Sequence, residues 1–127
     1  MKIRIKGNTV RYRLTKSEVE TLAQTGYYRE ETPFGGKTFI YAIKADPATP
    51  ELNADFVKDT ITMYLNKHKA VAWANNDLVG FNSEIKMAKG TTLSLLLEKD
   101  FVCMDNRADS KYFTFGLPLS QNKRFYF

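Results

Sequence analysis

The stretch that decides the fold is Met1-Lys2-Ile3-Arg4-Ile5-Lys6-Gly7-Asn8-Thr9-Val10-Arg11-Tyr12-Arg13-Leu14. Hydrocarbon and charge alternate along it with a period of two, which marks strands with one buried face. Met1, Ile3 and Ile5 share one face, and Lys2, Arg4 and Lys6 share the other. Gly7-Asn8 suits a two-residue turn with positive φ. Beyond it, Val10, Tyr12 and Leu14 alternate with Thr9, Arg11 and Arg13. A tight hairpin then pairs Ile5 with Val10, Ile3 with Tyr12, Arg4 with Arg11 and Lys2 with Arg13. One face of that ribbon is apolar and the other basic.

Thr15-Lys16-Ser17-Glu18 follows at once and forms a capping box. The helix it opens is predicted from Lys16 to about Thr25, where Gly26 supplies the stop. Val19, Leu22 and Ala23 form its buried stripe. Tyr27 to Thr32 and Lys37 to Ala45 read as strands, then Ala54 to Lys58 and Thr60 to Asn66, with Ile61, Met63 and Leu65 inward. Ala45 to Glu51, with its two prolines, reads as a loop between strands. A second short helix is predicted over Lys67 to Ala74, capped by Asn66, with Ala70, Val71 and Trp73 or Ala74 toward the core. Leu78 to Phe81, Glu84 to Lys89 and Thr91 to Glu98 complete the strands.

The expected fold class is mainly β (α+β): a small curved antiparallel sheet or barrel with two short helices. Antiparallel pairing is expected because no helix is long enough to serve a βαβ crossover. The 127 residues fit one domain spanning 1–127. No internal repeat stands out in the sequence.

Composition narrows the class further. With 43% hydrophobic residues the chain can build a core. The N-terminus lacks the apolar run of a signal peptide, and Leu93 to Leu97 is too short to span a bilayer. A lone cysteine, Cys103, rules out an internal disulfide and suits a reducing compartment, so a cytoplasmic location is expected, with no membrane partner. The net charge is +5, and Lys2, Arg4, Lys6, Arg11, Arg13 and Lys16 all precede the first acid, Glu18. The positive field therefore originates in the N-terminal segment.

The block Met1 to Asn8, continuing through Arg11-Tyr12-Arg13-Leu14-Thr15-Lys16-Ser17-Glu18-Val19, resembles a family of short uncharacterised bacterial proteins of unknown function. A later block, Glu98-Lys99-Asp100-Phe101-Val102-Cys103 followed by Arg107, carries the same resemblance. It implies no activity, cofactor or catalytic residue.

Function must be sought in the residues themselves. Lys2, Arg4, Lys6, Arg11 and Arg13 form the leading candidate site. Like charges opposite each other on paired strands are unfavourable, so something must offset them. One answer is a bound phosphate-containing anion, which guanidinium forks fit well. The other is a solvated face, or a neighbouring strand that brings in Glu30, Glu31, Glu98 or Asp100. Nucleic acid is disfavoured because Tyr12 falls on the opposite face from the arginines and no stacking signature accompanies them. A barrel with the basic face lining a lumen is a further arrangement.

Glu98, Asp100, Asp105 and Asp109 are weak candidates for a metal, since the spacing lacks the EF-hand pattern and Lys99 and Arg107 sit among them to pair with the acids. His68 and Cys103 are single residues with no local partner. No phosphate-binding loop, dinucleotide fingerprint or zinc signature occurs. Tyr112, Phe113, Phe115, Phe125, Tyr126 and Phe127 crowd the tail (112–127), which is expected to pack on the domain or on a partner. Three functions follow. The first is a non-catalytic binding module for an anionic partner, with no cofactor. The second is a self-association module, a homo-oligomer formed through the tail. The third is a phosphate-ester enzyme with a carboxylate-bound metal.

Overall fold

The computed structural model describes residues 1–101 of the chain. Its elements run β1 (Lys2–Lys6), β2 (Thr9–Thr15), α1 (Lys16–Thr25), β3 (Tyr27–Pro33), β4 (Thr38–Asp46), β5 (Asn53–Val57), β6 (Thr60–Asn66), α2 (Lys67–Trp73), β7 (Gly80–Lys86) and β8 (Thr92–Asp100). Strands dominate and both helices are short, so the class is mainly β within α+β.

The opening hairpin has the expected register, with Arg4 opposite Arg11 and Ile3 opposite Tyr12. Gly7 takes φ 54° at its turn, a left-handed conformation that costs little without a Cβ. The capping box of α1 is complete. The Thr15 hydroxyl accepts from the Glu18 N–H at 3.2 Å, and the Glu18 carboxylate accepts from the Thr15 N–H at 2.8 Å. Gly26, at φ 82°, ends the helix by donating its N–H to the Leu22 carbonyl. Val19 and Leu22 are fully buried beneath it.

The strands form two four-stranded sheets, β1-β2-β8-β7 and β3-β4-β6-β5. Their outer pairs are antiparallel, but the central pairs β2·β8 and β4·β6 are parallel. The sheets are therefore mixed, where a wholly antiparallel sheet or a barrel was expected. Parallel neighbours need no crossover helix here. After β4 the chain crosses the end of β6 in loop 47–52, where the Asn66 side chain donates to the Thr49 carbonyl, and enters β5 on the far side. It then returns as β6 between them. Leu78 to Phe81 and Glu84 to Lys89, expected as separate strands, are replaced by the single strand β7, because Asn82 and Ser83 both pair with β8 and the Ser83 hydroxyl donates to the Leu52 carbonyl at 2.6 Å.

A ββαββ unit occurs twice, although no repeat stands out in the sequence. The first copy is β1 to β4 with α1, and the second is β5 to β8 with α2. The copies exchange hairpins: each sheet combines the first hairpin of one with the second hairpin of the other. The parallel registers are equivalent, since Thr9 faces Ser94 in one sheet as Thr60 faces Ile40 in the other. What the copies share is what builds the unit. Val10 matches Ile61 and Leu14 matches Leu65 in the core, Thr15 matches Asn66 as helix cap, and Leu22 matches Trp73 on the buried helix face. Outward positions diverge, and they hide the repeat.

The apolar faces of the two sheets meet. Tyr12 and Tyr41 make an edge contact at 6.1 Å, and the Tyr12 hydroxyl reaches across to the Ile61 carbonyl at 2.8 Å. Burial pushes that hydroxyl's pKa well above its ordinary value. Leu95, Leu97, Ile43, Met63 and Leu65 fill the space between the sheets, while α1 and α2 pack on each other beside them. Trp73 is fully buried, stacks edge-on against Phe81 and donates its indole N–H to the Leu78 carbonyl. Val71, expected inward, is exposed instead. This packing turns the charged faces outward, so the basic ribbon does not line a barrel lumen.

Candidate functional site

The outer face of the first sheet carries the basic ribbon. Strand pleating puts Lys2, Arg4 and Lys6 of β1 beside Arg13, Arg11 and Thr9 of β2, in that order. The parallel neighbour β8 continues the rows with Glu98, Leu96 and Ser94. Antiparallel β7 adds Gly80, Asn82 and Glu84. All five sequence-predicted cations therefore share one surface, and the row Arg4–Arg11–Leu96–Asn82 crosses its middle.

The surface is only partly neutralised. Glu98 lies 3.7 Å from the Arg11 guanidinium and 3.6 Å from that of Arg13. One carboxylate thus serves two arginines at loose distances, in a half-exposed setting where such pairs hold weakly. β8 therefore supplies one of the counter-charges expected from a neighbouring strand. Among the described residues, no carboxylate pairs with Arg4 or Lys6. These two, with Thr9, Arg11 and Leu96, line a hollow of about 190 Å³. Its lining is largely hydrocarbon, to which the half-buried Leu96 side chain and the aliphatic stems of the cations contribute.

The remaining sequence candidates are dispersed. Glu98 is occupied by the two arginines, and Asp100 stands opposite Thr15. Among the described residues, no cluster of three or more His, Cys, Asp or Glu side chains could hold a metal ion. Asp105, Asp109, Arg107, Cys103 and the tail residues Tyr112, Phe113, Phe115, Phe125, Tyr126 and Phe127 lie outside the described residues. His68 is exposed at the start of α2. Lys99, expected to pair with the acids around it, points inward instead. It is 5% exposed, and its ammonium donates to the Trp73 and Asn76 carbonyls at 2.6 and 2.7 Å. Burial and the charge of Lys16 push its pKa below the ordinary value.

Sequence reasoning missed a second polar centre, at the chain's first residue beside the start of the ribbon. The α-amino group of Met1 donates to Glu18 at 2.6 Å and to Glu30 at 2.9 Å, and the Tyr28 hydroxyl donates to both carboxylates. Burial works to raise the Glu30 pKa, but the bonds from the ammonium and Tyr28 outweigh it, and the carboxyl sits below its usual range. The one available signal was the even spacing of Tyr28 and Glu30, which puts both on the inner face of β3.

No helix among the described residues is long and apolar enough to cross a membrane. No curated protein and no solved structure matches the chain significantly. A family model described as a family of unknown function, DUF7009, matches residues 1–119, and the chain belongs to that family.

Proposed function

We propose that the protein is a non-catalytic binding module whose N-terminal ribbon holds a phosphate-containing anion at Arg4, Lys6 and Arg11, with Lys2 and Arg13 extending the field. One observation carries this reading: Arg4 and Lys6 border a hollow with Arg11 and have no carboxylate partner among the described residues. Uncompensated cations around a concavity favour an anionic guest, because charge-assisted bonds to guanidinium exceed neutral ones in strength.

The duplicated fold supplies an internal control. In the second sheet the places of Arg4, Lys6, Arg11 and Arg13 are held by Asp55, Val57, Thr62 and Tyr64. The same scaffold position folds without any cation, so the ribbon is not demanded by the architecture. Edge protection, the usual reason for charged strands, would be met by Lys2, Arg4 and Lys6 alone and does not account for Arg11 and Arg13 on the inner strand.

The test is isothermal titration with inorganic pyrophosphate at two ionic strengths. Affinity should fall steeply between low and high salt, and an Arg4→Glu/Arg11→Glu variant of unchanged melting temperature should lose it. Equal binding by that variant overturns the reading.

A further inference from the structure

From the same hollow, and resting on the reading above, we infer the class of ligand: an organic phosphate ester whose carbon body lies on Leu96, rather than free inorganic phosphate. The row Arg4–Arg11–Leu96–Asn82 crosses the sheet at one level. Its chemistry changes in steps from two guanidiniums, through a branched hydrocarbon, to a carboxamide. Neighbouring strands lie about 4.8 Å apart, so Leu96 stands one strand spacing from Arg11 and two from Arg4. A phosphoryl group held by Arg4, Lys6 and Arg11 with the Thr9 hydroxyl would therefore place its ester substituent over Leu96. Asn82, exposed on β7, would face the far end of that substituent as a hydrogen-bonding group.

Leu96 is otherwise out of place. It faces outward between Ser94 and Glu98 on β8, while Leu95 and Leu97 face the core. Its counterpart in the second sheet is Ala42, so the scaffold position accepts a methyl group. A leucine there adds apolar surface to the lining of a cationic hollow, where bare phosphate has no use for it and an ester substituent would bury it. Glu98, the carboxylate near Arg11, stands on the Arg13 side of this row, and Glu84, the carboxylate on the Lys6 side, stands three strands from Lys6 on β7.

The experiment compares phenyl phosphate with inorganic phosphate on the full chain, by titration calorimetry, in the wild type and in Leu96→Ala. Wild type should bind phenyl phosphate about tenfold more tightly, the gain expected for burying part of one leucine and one ring. Leu96→Ala should abolish most of that preference, the affinity for phenyl phosphate falling to near that for inorganic phosphate. Thermal melting of the variant keeps folding separate from binding. Equal wild-type affinity for the two ligands, or a preference that survives Leu96→Ala, overturns the inference while the anion site itself stands. If neither ligand binds, both the anion site and the ester inference fall.

Discussion

Thr62 occupies in the second sheet the place that Arg11 holds in the first. Each is the third residue of the second strand of its hairpin, faces outward, and pairs with a neighbour of equivalent register: Arg11 with Arg4 and Leu96, Thr62 with Asp55 and Ala42. One architecture therefore presents two surfaces of different chemistry. Residues that build the unit recur in both copies, whereas Arg11 does not, which separates scaffold from candidate site.

Arg11→Thr should consequently leave the fold intact. The substitution removes a loose ion pair with Glu98 and also a like-charge contact with Arg4, two small effects of opposite sign. The unfolding free energy should move by no more than about 0.5 kcal/mol, while pyrophosphate binding drops. Urea unfolding followed by tryptophan fluorescence provides the measurement. A loss above about 2 kcal/mol would instead make Arg11 part of the scaffold.

Lys99→Met should be far more costly, although Lys99 lies among charges that look equivalent in sequence. Its ammonium satisfies two carbonyls where α2 ends and sits 5.5 Å from the centre of the Trp73 ring. Methionine keeps most of the stem and removes the donors, leaving carbonyl groups at a helix end without partners. We expect a loss of about 1–3 kcal/mol and an altered Trp73 emission maximum. Stability and emission both unchanged would show that the ammonium does not hold this corner.

The acid side of the stability profile should depend on Glu30. Its carboxyl, held by the Met1 ammonium and Tyr28, has a folded-state pKa below the ordinary 4.5. A depressed carboxyl binds fewer protons in the folded than in the unfolded state, so its contribution is complete above the ordinary pKa and is lost as pH falls through the folded value. Between about pH 5 and 3 the wild type should therefore lose more stability than Glu30→Gln. Parallel acid-unfolding curves for the two proteins would dismiss this ion pair as a source of the pH dependence.

Local order was legible because short-range rules govern it. Alternation set the faces of β1 and β2, Gly7-Asn8 set the hairpin register, and Thr15 with Glu18 set the start of α1. Long-range order was not. The parallel contacts of β2 with β8 and of β4 with β6 depend on hairpins exchanged between copies, and no local pattern records the exchange. Lys99 and Glu98 show the same limit at the site. Adjacent in sequence, they face opposite sides of one strand, so one caps a buried helix end while the other meets the arginines. The basic ribbon itself could be read directly, but Leu96 could not, because it joins the ribbon only through the β2·β8 register.

The β7·β8 pairing explains Gly80. β7 approaches β8 so closely there that a Cβ on Gly80 would lie 1.9 Å from the Leu97 carbonyl oxygen and 2.9 Å from the Glu98 Cα. Both obstacles are backbone, held by pairing on two sides, and the Lys99 N–H already donates to the Val79 carbonyl at 2.8 Å beside them. Neither can move aside as a flexible side chain would. Gly80→Ala must therefore push β7 outward or break its first pairs with β8, at a cost of about 1–3 kcal/mol or more, whereas Gly36→Ala, with open space around it, should cost far less. Chemical denaturation of the two variants compares these costs. Amide exchange should also locate the damage in Gly80→Ala, with protection falling first along β7 and at Lys99. Equal stability in the two variants would mean that β7 and β8 do not lie this close in solution.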